Sequence, residues 1–261
     1  MRILLIGDIF GEPGRQAVET LVPKLRAEYE PDLVIANGEN AARGLGITIK
    51  LAQQIFDHGV DGITLGNHSF RQRDILPMLN THDRIIRPHN LHRSSPGKGL
   101  MYLTAADGNE VAVLNLMGQL YLDTAHSPFE GLDELIDQVR ARTSVIIVDM
   151  HAEATSEKVA MGNHLAGRVS AVVGTHTHVQ TSDARILGGS TAYITDLGMT
   201  GPHDSVIGVR TDIILKKFRT GLGERFEPAT GGVQLEGAVI DIDPSTGRAT
   251  AIEAIRVPLP A

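Results

Sequence analysis

The chain has 261 residues, 42% hydrophobic and 21% charged, the balance of a water-soluble globular protein rather than a disordered one. It contains no cysteine, which excludes disulfides and thiolate metal sites, so any metal must be held by imidazole, carboxylate, amide or water. A net charge of −7, no Lys/Arg-rich run and only 4% aromatic residues argue against a broad or stacking grip on nucleic acid.

The amino terminus carries one basic residue and a short apolar stretch, then passes into glycine and Asp8. It predicts a buried first strand, not a signal peptide. No apolar run approaches the ~20 residues of a membrane span, so the expectation is a cytoplasmic protein with no membrane partner. Residues 3–6 form the first predicted strand. A helix over 16–28 follows, with Pro13 and Gly14 at its start, where proline is tolerated. A strand at 33–36, a helix at 49–58 and strands at 62–65 and 111–116 come next. A helix at 130–142, a strand at 145–148, a helix at 157–165 and a strand at 171–173 complete the series. These strands are short, rich in Ile, Val and Leu, and apolar on both faces, the pattern of a layered α/β fold. The carboxyl third predicts strands at 191–194, 232–241 and 250–258, read as a second sheet completing one domain over residues 1–261. No linker or internal repeat divides the chain.

Chemistry gathers where these strands end. Gly7-Asp8 follows the first, Asn37-Gly38-Glu39-Asn40 the second, and Gly66-Asn67-His68-Ser69 the third. Asp149-Met150-His151 and Gly174-Thr175-His176-Thr177-His178 follow the two later ones. Alone, Asp8 reads as a helix cap and Glu39-Asn40 as a polar turn. Asn67 and His68 are poor core residues, and an extended run would put His176 and His178 on one side. Ligands bind α/β sheets at the carboxyl ends of strands, so the five loops predict one convergent site. Its mix of carboxylate, imidazole and amide suits Mn, Fe or Zn.

This series of motifs resembles the calcineurin-like metallophosphoesterase superfamily. The stretches Ala36-Asn37-Gly38-Glu39-Asn40, Gly44-Leu45-Gly46-Ile47-Thr48 and Asp196-Leu197-Gly198-Met199-Thr200-Gly201-Pro202 resemble its bacterial YmdB-like phosphodiesterase branch. Two departures from the superfamily, Asp8-Ile9-Phe10 in place of Asp-x-His and Glu39 in place of a bridging aspartate, are shared with that branch. The resemblance implies a sandwich of two mixed β-sheets flanked by helices. It implies two divalent metal ions, Fe or Mn first, Zn or Mg as alternatives. Glu39 would bridge them, with Asp8, Asn40 and His178 completing one site and Asn67, His151 and His176 the other. The implied reaction is phosphodiester hydrolysis by a metal-bridging hydroxide, with His68 as the catalytic residue that protonates the leaving oxygen or binds the phosphoryl group. Two divalent ions less Asp8, Glu39 and a hydroxide leave roughly one positive charge, which suits a diester monoanion. Cyclic nucleotides, including 2′,3′-cyclic nucleotides, are the implied substrates; short RNA and a homo-oligomer stay open as partners. The alternatives are a nucleotidase-type phosphomonoesterase and a metal-binding regulatory module acting through a protein partner.

Other groups read as plainer features. His203-Asp204-Ser205 has the composition of a nucleophilic triad, but sequential neighbours rarely converge, and it reads as a rim of the site. Arg84, Arg87, His89, His92 and Arg93 read as a solvated basic face. Arg43 reads as a loop residue, Gly44 and Gly46 lack the lysine of a P-loop, and Asp196 reads as a capping or orienting group.

Overall fold

The computed structural model describes residues 1–122 and 126–260. In chain order it runs β1 (Arg2–Ile6), β2 (Asp8–Ile9), α1 (Gly11–Tyr29), β3 (Leu33–Asn37), α2 (Ile49–Asp57) and β4 (Gly62–Thr64). A 3-10 turn (Arg73–Ile75) leads into α3 (Leu76–Thr81), β5 (Ile85–Ile86), β6 (Leu100–Thr104), β7 (Glu110–Met117) and α4 (Leu132–Arg140). Then come β8 (Val145–His151), α5 (Thr155–Leu165), β9 (Ala171–Thr175), β10 (Arg185–Leu187), β11 (Thr191–Ile194) and β12 (Met199–Pro202). The chain closes with α6 (Thr211–Thr220), β13 (Val233–Asp243) and β14 (Arg248–Pro258).

Eight strands form one sheet, ordered β2-β12-β13-β1-β3-β4-β5 with β14 also on β13. Six form the other, ordered β10-β11-β9-β8-β7-β6. Both are mixed: β1, β3, β4 and β5 run parallel while β13 is antiparallel to β1, and β7, β8, β9 and β11 run parallel while β6 and β10 are antiparallel. Alternation along each strand builds the layers. Ile3, Leu5 and Ile35 meet Val113, Ile147 and Val173 between the sheets. Leu4, Ile6 and Val34 face α1 and α2, while Leu114, Ile146 and Val148 face α4 and α5. Strands sandwiched this way are buried on both faces, which is why they read as unbroken apolar runs.

The carboxyl third corrects one expectation. It does not make a second sheet of its own. β11 extends the sheet of β9, whereas β13 and β14 extend that of β1, so the division falls between halves of the chain's strand-helix pattern. The pairing is decided by edges left free: β13 takes the open side of β1, and Arg2 locks it through Asp241 at 2.7 Å. Among the described residues no helix is long and apolar enough to cross a membrane.

Candidate metal centre

The parallel strands of both sheets end in one place. The first sheet brings Asp8 after β1, Glu39 and Asn40 after β3, and Asn67 and His68 after β4; the second brings His151 at the end of β8 and His176 and His178 after β9. Close approach depends on Gly66, where a Cβ would overlap both His151 Nε2 and Glu39 Oε2.

His151 is the hub. Its Nε2 lies 3.1 Å from Glu39 Oε1, 3.0 Å from Asn67 Oδ1 and 3.1 Å from His176 Nδ1. Its Nδ1 is 2.9 Å from Thr175 Oγ1, which donates to Asp149 Oδ1 at 2.7 Å; Thr64 Oγ1 donates to Asp149 Oδ2 at 2.5 Å. A hydroxyl whose proton goes to a carboxylate can only accept from the imidazole, so Nδ1 carries a proton and Nε2 faces the cluster. His178 is set the same way: Nδ1 donates to the Ile207 carbonyl at 2.9 Å, leaving the Nε2 lone pair 2.8 Å from Asn40 Nδ2 and 3.8 Å from Asp8 Oδ1. His176 turns Nδ1 inward while Nε2 meets Glu153 at 3.2 Å, and its backbone N–H donates to Asp8 Oδ2 at 3.0 Å. His68 donates its backbone N–H to Glu39 Oε2 at 2.9 Å, and its Nδ1 donates to Asn40 Oδ1 at 2.8 Å.

Asp8 Oδ1 and Glu39 Oε1 are fully buried and accept no well-formed hydrogen bond, although the His151 imidazole stands beside Glu39. Their surroundings are tuned around positive charge. Burial would raise Glu39, but the His151 imidazolium outweighs it and holds the carboxyl at about 2. Burial would lower His151, but Glu39 and Asp8 lift it to about 9. Burial pushes Asp8 up to about 6 against the pull of His178 and His151. Burial and the charge on His151 drive His176 down to about 3. Glu39, His151 and His176 each offer a donor atom within 4.8 Å of the others, and orphaned carboxylate oxygens among inward lone pairs fit a divalent cation.

All eight residues singled out in the sequence meet here, but not all by the expected route. The stretch after β9 is not extended. His176 and His178 have φ of 97° and 64°, and these left-handed turns, not strand alternation, aim both rings into the site. Asp196 orients rather than ligates: its Oδ2 accepts from Lys158 Nζ at 2.6 Å and from Thr177 Oγ1 at 2.7 Å, pinning the residue between the two histidines. His203-Asp204-Ser205 makes no triad, since His203 Nε2 meets the Met199 carbonyl and Ser205 Oγ donates to the Pro202 carbonyl. Sequence reasoning quoted Asp149 and Thr175 within strand-end motifs but gave them no role, and it missed Thr64 and Lys158. Their one signal was polarity at positions otherwise apolar, as all four are buried.

Two facing mixed sheets with this cluster at their carboxyl ends define a metallophosphoesterase-type protein. The family described as YmdB-like protein matches residues 4–255, and the chain belongs to it. A Bacillus subtilis protein named 2′,3′-cyclic-nucleotide 2′-phosphodiesterase is 49% identical over 98% of this chain and 97% of its own. The crystal structure of a hypothetical protein from Thermus thermophilus superposes with a TM-score of 0.93 at 39% identity, covering 100% of both chains. That of a novel phosphatase from Mycoplasma pneumoniae superposes at 0.91 and 36% identity, covering 99% of this chain and 93% of the other.

Proposed function

We propose that the chain is a metal-dependent phosphodiesterase that opens 2′,3′-cyclic nucleotides at the 2′ ester. Its class, a phosphoric ester hydrolase, is that of its named relatives, and the 2′,3′-cyclic substrate is the one in the name of the Bacillus subtilis relative. The observation that carries the reading is the pair of buried, orphaned oxygens, Asp8 Oδ1 and Glu39 Oε1, set among imidazole nitrogens.

Two divalent ions, Fe or Mn, are the proposed cofactors. Glu39 would touch both, with Asp8, Asn40 and His178 around one and Asn67, His151 and His176 around the other. Asn40 must then turn its amide over, because it now shows Nδ2 to His178. When bound, the ions would supply a nucleophile at neutral pH and neutralise charge on the phosphoryl group. The chain's own residues do the rest. Thr175 and Asp149 hold His151 in one tautomer, and the Ile207 carbonyl does so for His178. Once the Asn40 amide turns, its Nδ2 donates to His68 Nδ1, which leaves the His68 proton on Nε2, the atom proposed to serve the leaving oxygen. The site needs both sheets, which supports reading residues 1–261 as one functional domain.

Chelator-stripped protein should cleave neither a chromogenic phosphodiester nor its monoester, and manganese or iron should restore cleavage with the diester preferred. Preference for the monoester would move the nucleotidase alternative ahead. Thr175→Val should lower metal affinity by about 10- to 100-fold, because His151 loses the acceptor that fixes its ring. Competition against a chromogenic chelator reads this directly, and unchanged affinity would remove Thr175 from the supporting relay.

A further inference from the structure

One more strand end borders the metal centre. β5 runs parallel to β4, with Ile86 beside Thr64, so residues 87–93 leave the sheet next to the loop bearing Asn67 and His68. On the facing sheet β7 runs parallel to β8, with Met117 beside His151. Asn90 joins the two sheets. It accepts from the Met117 N–H at 2.8 Å and donates to the carbonyls of Met117 at 2.7 Å and His126 at 2.6 Å. A cavity of about 1100 Å³ opens there, lined by Arg87, His89, Asn90, His92, Arg93 and His126 together with neighbouring chain. Its wall at Asn90 lies one strand beyond the metal centre in each sheet, and Leu100 of β6 and Leu135 and Gln138 of α4 also line it.

The cavity is cationic in a chain of net charge −7. Arg87 is only 6% exposed, yet its guanidinium donates to carbonyls alone, those of Pro88 at 2.7 Å and His89 at 3.2 Å among them. Among the described residues no carboxylate pairs with Arg87 or Arg93; Lys98 is answered by Asp83 at 2.9 Å, and Glu130 is the one acid in the lining. The rings of His92 and His126 stand 6.4 Å apart at a tilt of 36°. Unpaired bases stack on the faces of aromatic side chains, histidine included, and both of these rings are exposed.

We infer that this cavity binds the nucleotide adjoining the ester to be cleaved, so that oligoribonucleotides ending in a 2′,3′-cyclic phosphate are substrates preferred over the mononucleotide. Arg93 meets the adjoining phosphate, with the buried positive charge of Arg87 behind it, and the two histidines flank its base. The inference rests on the proposed cyclic-nucleotide activity, so its test has a part that needs no turnover. Chelator-treated protein is titrated against a fluorescein-labelled triribonucleotide with a 2′,3′-cyclic end, read by anisotropy. Arg93→Glu, on an exposed loop, is expected to weaken binding about tenfold and flatten its salt dependence. Equal binding by the two proteins overturns the subsite, as does displacement of the RNA by orthophosphate at matched concentration, which marks a free-anion site. In the metal-loaded enzyme, the ratio of kcat/KM for the trinucleotide to that for the 2′,3′-cyclic mononucleotide should exceed one severalfold, and fall toward one in Arg93→Glu. A ratio of one in the unmodified enzyme overturns the subsite while leaving the proposed activity standing. Arg93-dependent RNA binding without cleavage of either substrate supports the subsite and overturns the activity.

Discussion

Glu39→Ala is expected to lose bound metal and turnover together, whereas His68→Ala should keep its metal and lose about 10²- to 10⁴-fold in kcat. The contrast follows from where the two side chains sit. Glu39 is wholly buried, faces His151 at 3.1 Å and receives the His68 backbone N–H at 2.9 Å. Removing it takes from His151 its nearest counter-charge, and breaking a buried pair in this way costs about 3 to 5 kcal/mol in other proteins. Metal-free Glu39→Ala should therefore also melt at lower temperature, and Glu39→Gln, which keeps the shape, should separate the loss of charge from the loss of packing. His68 is partly exposed and touches the cluster through Asn40 Oδ1 and more distantly through Glu39 at 3.5 Å. Its removal frees the Asn40 amide without opening a cavity among the other donors. Metal analysis beside steady-state kinetics decides the matter: equal metal loss in the two alanine variants would remove His68 from the role of proton carrier and make it a support for the ligands.

The sequence exposed the donors of this site but not the devices that aim them. Asp8, Glu39, Asn67, His151 and His176 stand out because each interrupts or follows a run that burial makes apolar, and strand ends of parallel sheets share one edge. Aim is another matter. The left-handed turns at His176 and His178 run against the preference of any non-glycine residue, so no local pattern announces them; only the packed loop, with Thr177 held by Asp196, imposes them. Thr175 and Asp149 look like ordinary strand-end polarity unless their pairing across 26 residues is in view. Fold boundaries follow the same logic. The strands apolar on both faces are legible, whereas β5 and β12, at two and four residues, carry too little periodicity to register, and their places are fixed by pairing with β4 and β13. Without β5, the strand-end position of Arg87 and His89 is hidden, and the segment reads as a solvated basic face. Similarly, nothing local to β13 and β14 says which sheet has a free edge for them.

Gly66→Ala should abolish metal binding and activity although it adds one methyl group to a loop. The added Cβ would sit within the van der Waals envelopes of His151 Nε2 and Glu39 Oε2, the two atoms at the centre of the cluster. Neither can retreat easily. His151 is the last residue of β8, fully buried and held through Nδ1 by Thr175, and Glu39 Oε2 is fixed by the His68 N–H. The alternatives are displacement of the 66–68 loop, which carries Asn67 and His68 out of register, or rotation of His151, which breaks its relay to Asp149. Either loses ligands, and overpacking of this kind costs about 1 to 3 kcal/mol in stability besides. Gly223→Ala is the matched control, since a Cβ there meets nothing within 4 Å. The measurement is metal stoichiometry and circular dichroism on both variants. A folded Gly66→Ala protein without metal is the expected result; a folded one with full metal content and turnover would mean that the cluster is loose enough to absorb a methyl group, and that the short distances around His151 do not define the working site.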